Sequence, residues 1–117
     1  MQANATSNDN VAVGYAALQA NEASNNTAVG KNAGYSTTTG TLNTMIGFDA
    51  GSGTSTGINN TCVGANAGEN ITTGSYNTMI GESTSITSAT TNNANAFGFS
   101  VTGESGYTTI GLDTSDI

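Results

Sequence analysis

"NTAVGKNAGYSTTTGTLNTMIGFDAG", residues 26–51, contains itself: NTAVG returns seventeen residues later as NTMIG, and NAG returns as DAG. Aligning the chain on the glycine that closes the phrase picks out Gly14, Gly30, Gly47, Gly64, Gly81, Gly98 and Gly111, separated by 16, 17, 17, 17, 17 and 13 residues. Nearly the whole sequence is therefore one repeat. A fixed period this short means a solenoid, in which a unit cannot bury its own apolar face and stacks on its neighbours to do so.

The composition fits a narrow stack better than a sphere. Of 117 residues, 35% are hydrophobic and 8% charged, with sixteen glycines and neither proline nor tryptophan. Abundant Gly, Ser, Thr and Asn would by themselves suggest disorder, but disorder gives no reason to hold apolar residues in register. The net charge is −7, with Lys31 the sole basic residue. Nucleic acid and anionic membrane surfaces, which are gripped by clustered Lys and Arg, are not expected partners. The start, MQANATSNDN, has no basic or apolar segment of a signal peptide, and no stretch approaches a membrane span, so no membrane insertion by this chain is expected. Cys62 alone cannot form an intrachain disulfide.

Read as columns, the residue before each closing glycine is Val13, Val29, Ile46, Val63, Ile80, Phe97 and Ile110. β-Branched residues ahead of a glycine describe a short strand ending in a tight turn, and Gly density rules out helix. This column is the expected coil core. One place earlier stand Ala12, Ala28, Met45, Cys62, Met79, Ala96 and Thr109. Adjacent strand residues face opposite ways, so this second column would be exposed on a lone coil, and Ala12, Ala28, Met45, Cys62, Met79 and Ala96 are the expected trimer interface. Met45→Lys and Met79→Lys should then disrupt assembly, and Ile46→Lys and Ile80→Lys the coil. A small column, Ala17, Ala33, Ala50 and Ala67, is expected to pack inside the roll opposite the Val/Ile column. The tripeptides ending at Gly40, Gly57 and Gly74 suit the end of a second strand, giving two strands per turn. Residues 1–8 read as a lead-in and 9–117 as the repeat domain. The Asn column, Asn10, Asn26, Asn43, Asn60 and Asn77, reads as structural, because stacked Asn side chains bond one another and the local backbone.

These phrases resemble the head repeat of YadA-like trimeric autotransporter adhesins, with DNVAVG (residues 9–14) close to it and NNTAVG, NNTCVG and LNTMIG looser. The NTxxG, AG and TTG phrasing is similar to repeats of phage and giant-virus tail fibres and of bacterial surface fibres. The resemblance implies a left-handed parallel β-roll (β-solenoid) of about seven coils, mostly of 17 residues, assembled as a homotrimer. It implies a structural and adhesive role in an extracellular fibre on a virion or bacterial cell surface. Virus fibre and bacterial adhesin both remain open. A host-surface glycan or protein is the expected external partner, beside the chain itself.

No cofactor is expected, and no enzyme. Without histidine there is no Ser-His or Cys-His pair, and Glu69 and Glu82 fall at different points of the repeat rather than across a cleft. VGKN (residues 29–32) is no phosphate loop, since position 25 is Asn. A metal site has one cysteine and scattered carboxylates to draw on. The residues just after the closing glycines vary between units, and Tyr15, Phe48 and Phe99 among them are the ligand-contact candidates, as aromatics suited to stacking on sugars. The alternative function is ice binding, from Thr37 with Thr39, Thr54 with Thr56 and Ser88 with Thr90 as hydroxyl pairs at one phase of the repeat, an array that Ile71 interrupts at the Thr73 rung.

Overall fold

The computed structural model describes residues 8–111. All but Asn8 of the expected lead-in, and residues 112–117 of the expected repeat domain, lie outside them. Seven three-residue strands stack in chain order: β1 (Val11–Val13), β2 (Thr27–Val29), β3 (Thr44–Ile46), β4 (Thr61–Val63), β5 (Thr78–Ile80), β7 (Asn95–Phe97) and β9 (Thr108–Ile110). Every pairing is parallel and joins equivalent repeat positions, as in Ala28 with Met45 and Met45 with Cys62. The fold is an all-β parallel solenoid of about six turns, because seven closing glycines bound six intervals rather than seven coils. It is narrow, with principal extents of 46 × 22 × 17 Å.

One strand per turn persists, not two. Among the described residues a second ladder forms only between β6 (Ser85–Ile86) and β8 (Thr102–Gly103). Elsewhere the rest of each coil is turns, yet its backbone still bonds the next coil at equivalent places. The amides of Gly34, Gly51 and Gly68 donate to the carbonyls of Ala50, Ala67 and Thr84 at 3.0, 2.9 and 2.7 Å. Those of Thr38, Ser55 and Thr72 donate to Ser55, Thr72 and Ala89 at 3.0, 2.9 and 2.9 Å. Turns replace strand there because Gly, Asn and Ser carry left-handed corners that a strand cannot contain. Asn32, Asp49, Asn66 and Ser83 hold φ between 52° and 57°, one per coil.

The two apolar columns have exchanged the places that the sequence suggests. Ala28, Met45, Cys62, Met79 and Ala96 are fully buried inside the coil, whereas Val13, Ile46, Ile80 and Ile110 stand 39–59% exposed and Val29, Val63 and Phe97 half-buried on the outer face. Volume is the physical reason. The small column of Ala17, Ala33, Ala50 and Ala67 is inside, as expected, but it packs opposite the Ala/Met/Cys column. Unbranched Met threads the space left by small neighbours. A side chain at Gly34 or Gly51 would meet Met45 atoms at 2.7 Å, and one at Gly68 would meet the Cys62 sulfur at 2.5 Å. Six rigid β-branched side chains and Phe97 on adjacent rungs, with no such relief, suit the outside.

The strand column is registered by asparagine. Asn10 Oδ1 accepts the backbone N–H of Asn26 at 2.8 Å, Asn26 that of Asn43 at 3.0 Å, Asn43 that of Asn60 at 2.9 Å and Asn60 that of Asn77 at 3.1 Å. Each side-chain amide also spans its coil: Nδ2 of Asn26, Asn43 and Asn60 donates to the carbonyls of Gly40, Gly57 and Gly74 at 2.8, 2.8 and 2.9 Å. The ladder ends where Ala94 takes the Asn position and donates its N–H to Asn77 Oδ1 at 2.9 Å. These asparagines from Asn26 to Asn77 are at most 1% exposed, so the bonds are made away from water.

Asn60→Ala would leave the Asn77 N–H and the Gly74 carbonyl buried without their partner. A loss of about 2–4 kcal/mol of unfolding free energy is expected in urea titration. A loss below about 0.5 kcal/mol would show that the ladder contributes little. The opposite sign is expected at Thr54, whose buried Oγ1 makes no hydrogen bond among the described residues. Thr54→Val keeps the shape and removes the orphan hydroxyl, so stability should rise by about 1 kcal/mol in the same titration.

Candidate functional site

A stack of near-identical coils presents its repeat positions as surface columns, so recognition must come from columns that are exposed and from rungs that break the pattern. Two parts of the surface qualify. The first is the outer face of the seven-stranded sheet, where the residues flanking the buried middle position of each strand point outward. Thr27, Thr44, Thr61 and Thr78 form one half-buried column, and the Val/Ile column runs beside it from Val13 to Ile110. The result is a ladder of hydroxyls and branched aliphatic groups over β2 to β5, with Val11 in place of Thr on the first rung and Asn95 and Phe97 on β7. None of the Ala/Met/Cys residues expected at an intermolecular contact lies on it; Ala12, at the first rung, is part-buried against the core.

The second part is the corner following the closing glycines. Tyr15 is 78% exposed, and Phe48 and Phe99 are likewise exposed. Tyr15, Lys31 and Phe48 occupy consecutive rungs, and the Lys31 ammonium sits 5.5 Å from the centroid of the Phe48 ring, within cation–π range. Phe99 is separated from Phe48 by the rungs carrying Ala65 and Glu82. The structure thus sets Phe48 against the one lysine, with Tyr15 on the rung before that lysine, and leaves Phe99 apart.

Beside that corner the surface opens into a notch of about 510 Å³, lined by Asn32, Tyr35, Ser36, Asp49, Ser52, Gly53, Glu69 and Asn70. The residues come from three successive coils at matching positions. Tyr35 and Ser36 stand on one side, Glu69 and Asn70 on the other, and Ser52 and Gly53 occupy the rung between. A rung with small side chains between two rungs with larger ones is a missing step in the stack. Asp49 enters at a left-handed corner, φ 52°. The sequence contains the signal, a Tyr–Ser–Glu column beside a Ser–Gly–Asn column, but a search for aromatic residues after the closing glycines passes over it.

The hydroxyl pairs considered for ice binding do not form a surface array. Thr37 and Thr54 are fully buried, while Thr39, Thr56, Ser88 and Thr90 are exposed. Thr37 Oγ1 lies 4.0 Å from the Met45 sulfur inside the coil. Among the described residues no group of three or more His, Cys, Asp or Glu side chains is placed to hold a metal ion, and no helix is long and apolar enough to cross a membrane. No family model, curated protein or solved structure matches the chain.

Cys62, one of the residues expected at an intermolecular contact, is a free thiol inside the coil. Burial pushes its pKa up from 9.0 to about 12. The folded chain keeps a proton that the unfolded chain releases above about pH 9, so this contribution to stability is complete below pH 9 and is lost as pH rises toward 12. Since the thiolate is the nucleophile, a disulfide reagent at pH 8 should leave the native chain unmodified and react with one thiol per chain in urea. Rapid native reaction would contradict the placement.

Proposed function

We propose that this chain is a structural and adhesive segment of a homotrimeric surface fibre, extracellular on a virion or a bacterial cell, and that it works without catalysis. The observation that carries the reading is the outer Val/Ile ladder. A chain with few large apolar residues spends seven of them, one per rung, on a face that an isolated coil leaves in water. Contiguous apolar strips of that kind mark contact surfaces. Covering the exposed half of each side chain is worth roughly 1 kcal/mol per rung, hence several kcal/mol along the strip. Threefold closure around an axis, which the resemblance to trimeric adhesin heads implies, brings three such strips together and leaves none exposed. The stiffness suits a spacer, because coils are bonded to one another along the strand column and the turns, and from Asn10 to Ala94 along the Asn column as well.

One observation favours a second reading, ice binding: the hydroxyl and methyl ladder that β2 to β5 form on the same outer face. The two readings exclude each other, since an ice-binding face must stay open and a trimer covers it.

Light scattering of the purified chain at micromolar concentration is expected to give the mass of three chains, with no inhibition of ice recrystallisation. Ile46→Lys and Ile80→Lys should each yield folded monomer by scattering and circular dichroism, whereas Met45→Lys and Met79→Lys should unfold the coil. This is the reverse of what the sequence columns suggest. A folded monomer from the unaltered chain would overturn the trimer, and ice activity in that monomer would establish the second reading.

A further inference from the structure

We infer that the notch between Tyr35 and Glu69 is a binding subsite for a neutral saccharide. The inference deepens the adhesive reading and rests on it for its biological meaning. Its volume of about 510 Å³ lies within the range of small-ligand clefts. Stacked coils are spaced about 4.8 Å apart, so walls two rungs apart stand roughly 10 Å from each other, room for one sugar ring between them.

The walls are held in place. The Ser36 N–H donates to the Ser52 carbonyl at 3.1 Å, joining two of the three contributing turns. Asn70 is clamped on the far side: its Nδ2 donates to the Ile86 carbonyl at 2.7 Å, and its Oδ1 accepts the Ile86 N–H at 3.2 Å. Position 53 must stay glycine, because a side chain there would overlap the backbone carbonyl of Glu69 on the next coil. The cleft is therefore preformed, and binding would require little ordering of the chain.

The lining selects the ligand class. Asp49 and Glu69 offer carboxylates, which only accept hydrogen bonds when ionised, and so match hydroxyl donors. Ser36 and Ser52 can both donate and accept. Tyr35, 42% exposed, presents a ring of the kind that covers the C–H face of a sugar. An anionic ligand would meet two carboxylates and no cation in the notch, since the one lysine of the chain lies over Phe48 at the neighbouring corner. A peptide would find a single aromatic ring for its apolar side chains. A neutral, polyhydroxylated ring satisfies all of these groups together.

The test uses the full chain, labelled with nitrogen-15, in whatever assembly state it adopts. Maltotriose, cellotriose, mannotriose and chitotriose are added separately, with sialyllactose and calcium chloride alone as charged probes. At least one neutral trisaccharide is expected to shift the backbone amides of Tyr35, Ser52 and Asn70. Tyr35→Ala should weaken that binding about tenfold. Ser52→Phe, which fills the notch from a partly exposed position, should weaken it by at least as much, and Glu69→Gln provides a second, nearly isosteric variant. Tyr76→Ala, an exposed aromatic outside the notch, should leave binding unchanged. The proposal is overturned if no neutral trisaccharide moves those amides, if only sialyllactose or calcium does, or if folded Ser52→Phe binds as the parent does. Scattering reports on the trimer separately, so a silent notch in a trimeric chain removes the subsite and keeps the fibre, while a monomer that binds sugar does the reverse.

Discussion

The buried asparagine ladder is the constraint on which the rest of the structure depends. A strand of three residues has too few backbone bonds to fix its own register, and a slip of one residue would turn every outward side chain inward. Each asparagine from Asn26 to Asn77, at the entrance to a strand, removes that freedom twice. Its carbonyl oxygen takes the amide of the equivalent residue one coil on, and its amide group ties the strand to the turn fourteen residues later. Both atoms are desolvated, so neither bond can be exchanged for water without cost. Once the column is fixed, strand, closing glycine and turn all repeat in phase.

Registration has a steric counterpart at the glycines. A side chain at Gly14 would sit 2.5 Å from the carbonyl oxygen of Gly30, and Gly47 and Gly64 are similarly crowded by the next coil. With φ from 126° to 137°, these positions also lie where L side chains are strained. Backbone stacks directly on backbone at this corner, which is why the coil can be only a few side chains thick. A core so thin takes Met and small residues along the strand column and admits branched side chains singly, at Ile71, Ile86 and Val101, and the Val/Ile ladder is left on the outer face.

Regularity in the strand column is matched by irregularity at the turns. The strands vary little from rung to rung, whereas the corner after the closing glycine carries Tyr, Lys, Phe, Ala, Glu and Phe in turn, and the notch arises where two small residues interrupt a column of larger ones. Identical positions build the rod, and differing ones give it local character, a division that fits the proposed fibre role. The register supplied by the asparagines makes a single small rung into a cleft, since it holds the flanking rungs at a fixed separation.

The sequence by itself determined the period, the strand positions, the closing glycines, the structural role of the asparagines and the inward direction of Ala17, Ala33, Ala50 and Ala67. All of these follow from recurrence, because a residue type kept at one phase of a repeat reports a condition met at every coil. It could not decide which of two adjacent apolar columns faces in. Periodicity assigns Met45 and Ile46 to opposite faces without saying which is which, and β-branching argued for the wrong one. Only the tertiary structure settles that choice, because it depends on the volume left across the coil by Gly34, Gly51 and the alanines, residues far enough away in sequence that no local pattern joins them to the strand. The same holds for the notch: its residues lie one and two repeats apart, and they line one cleft only because the stack places matching turns side by side.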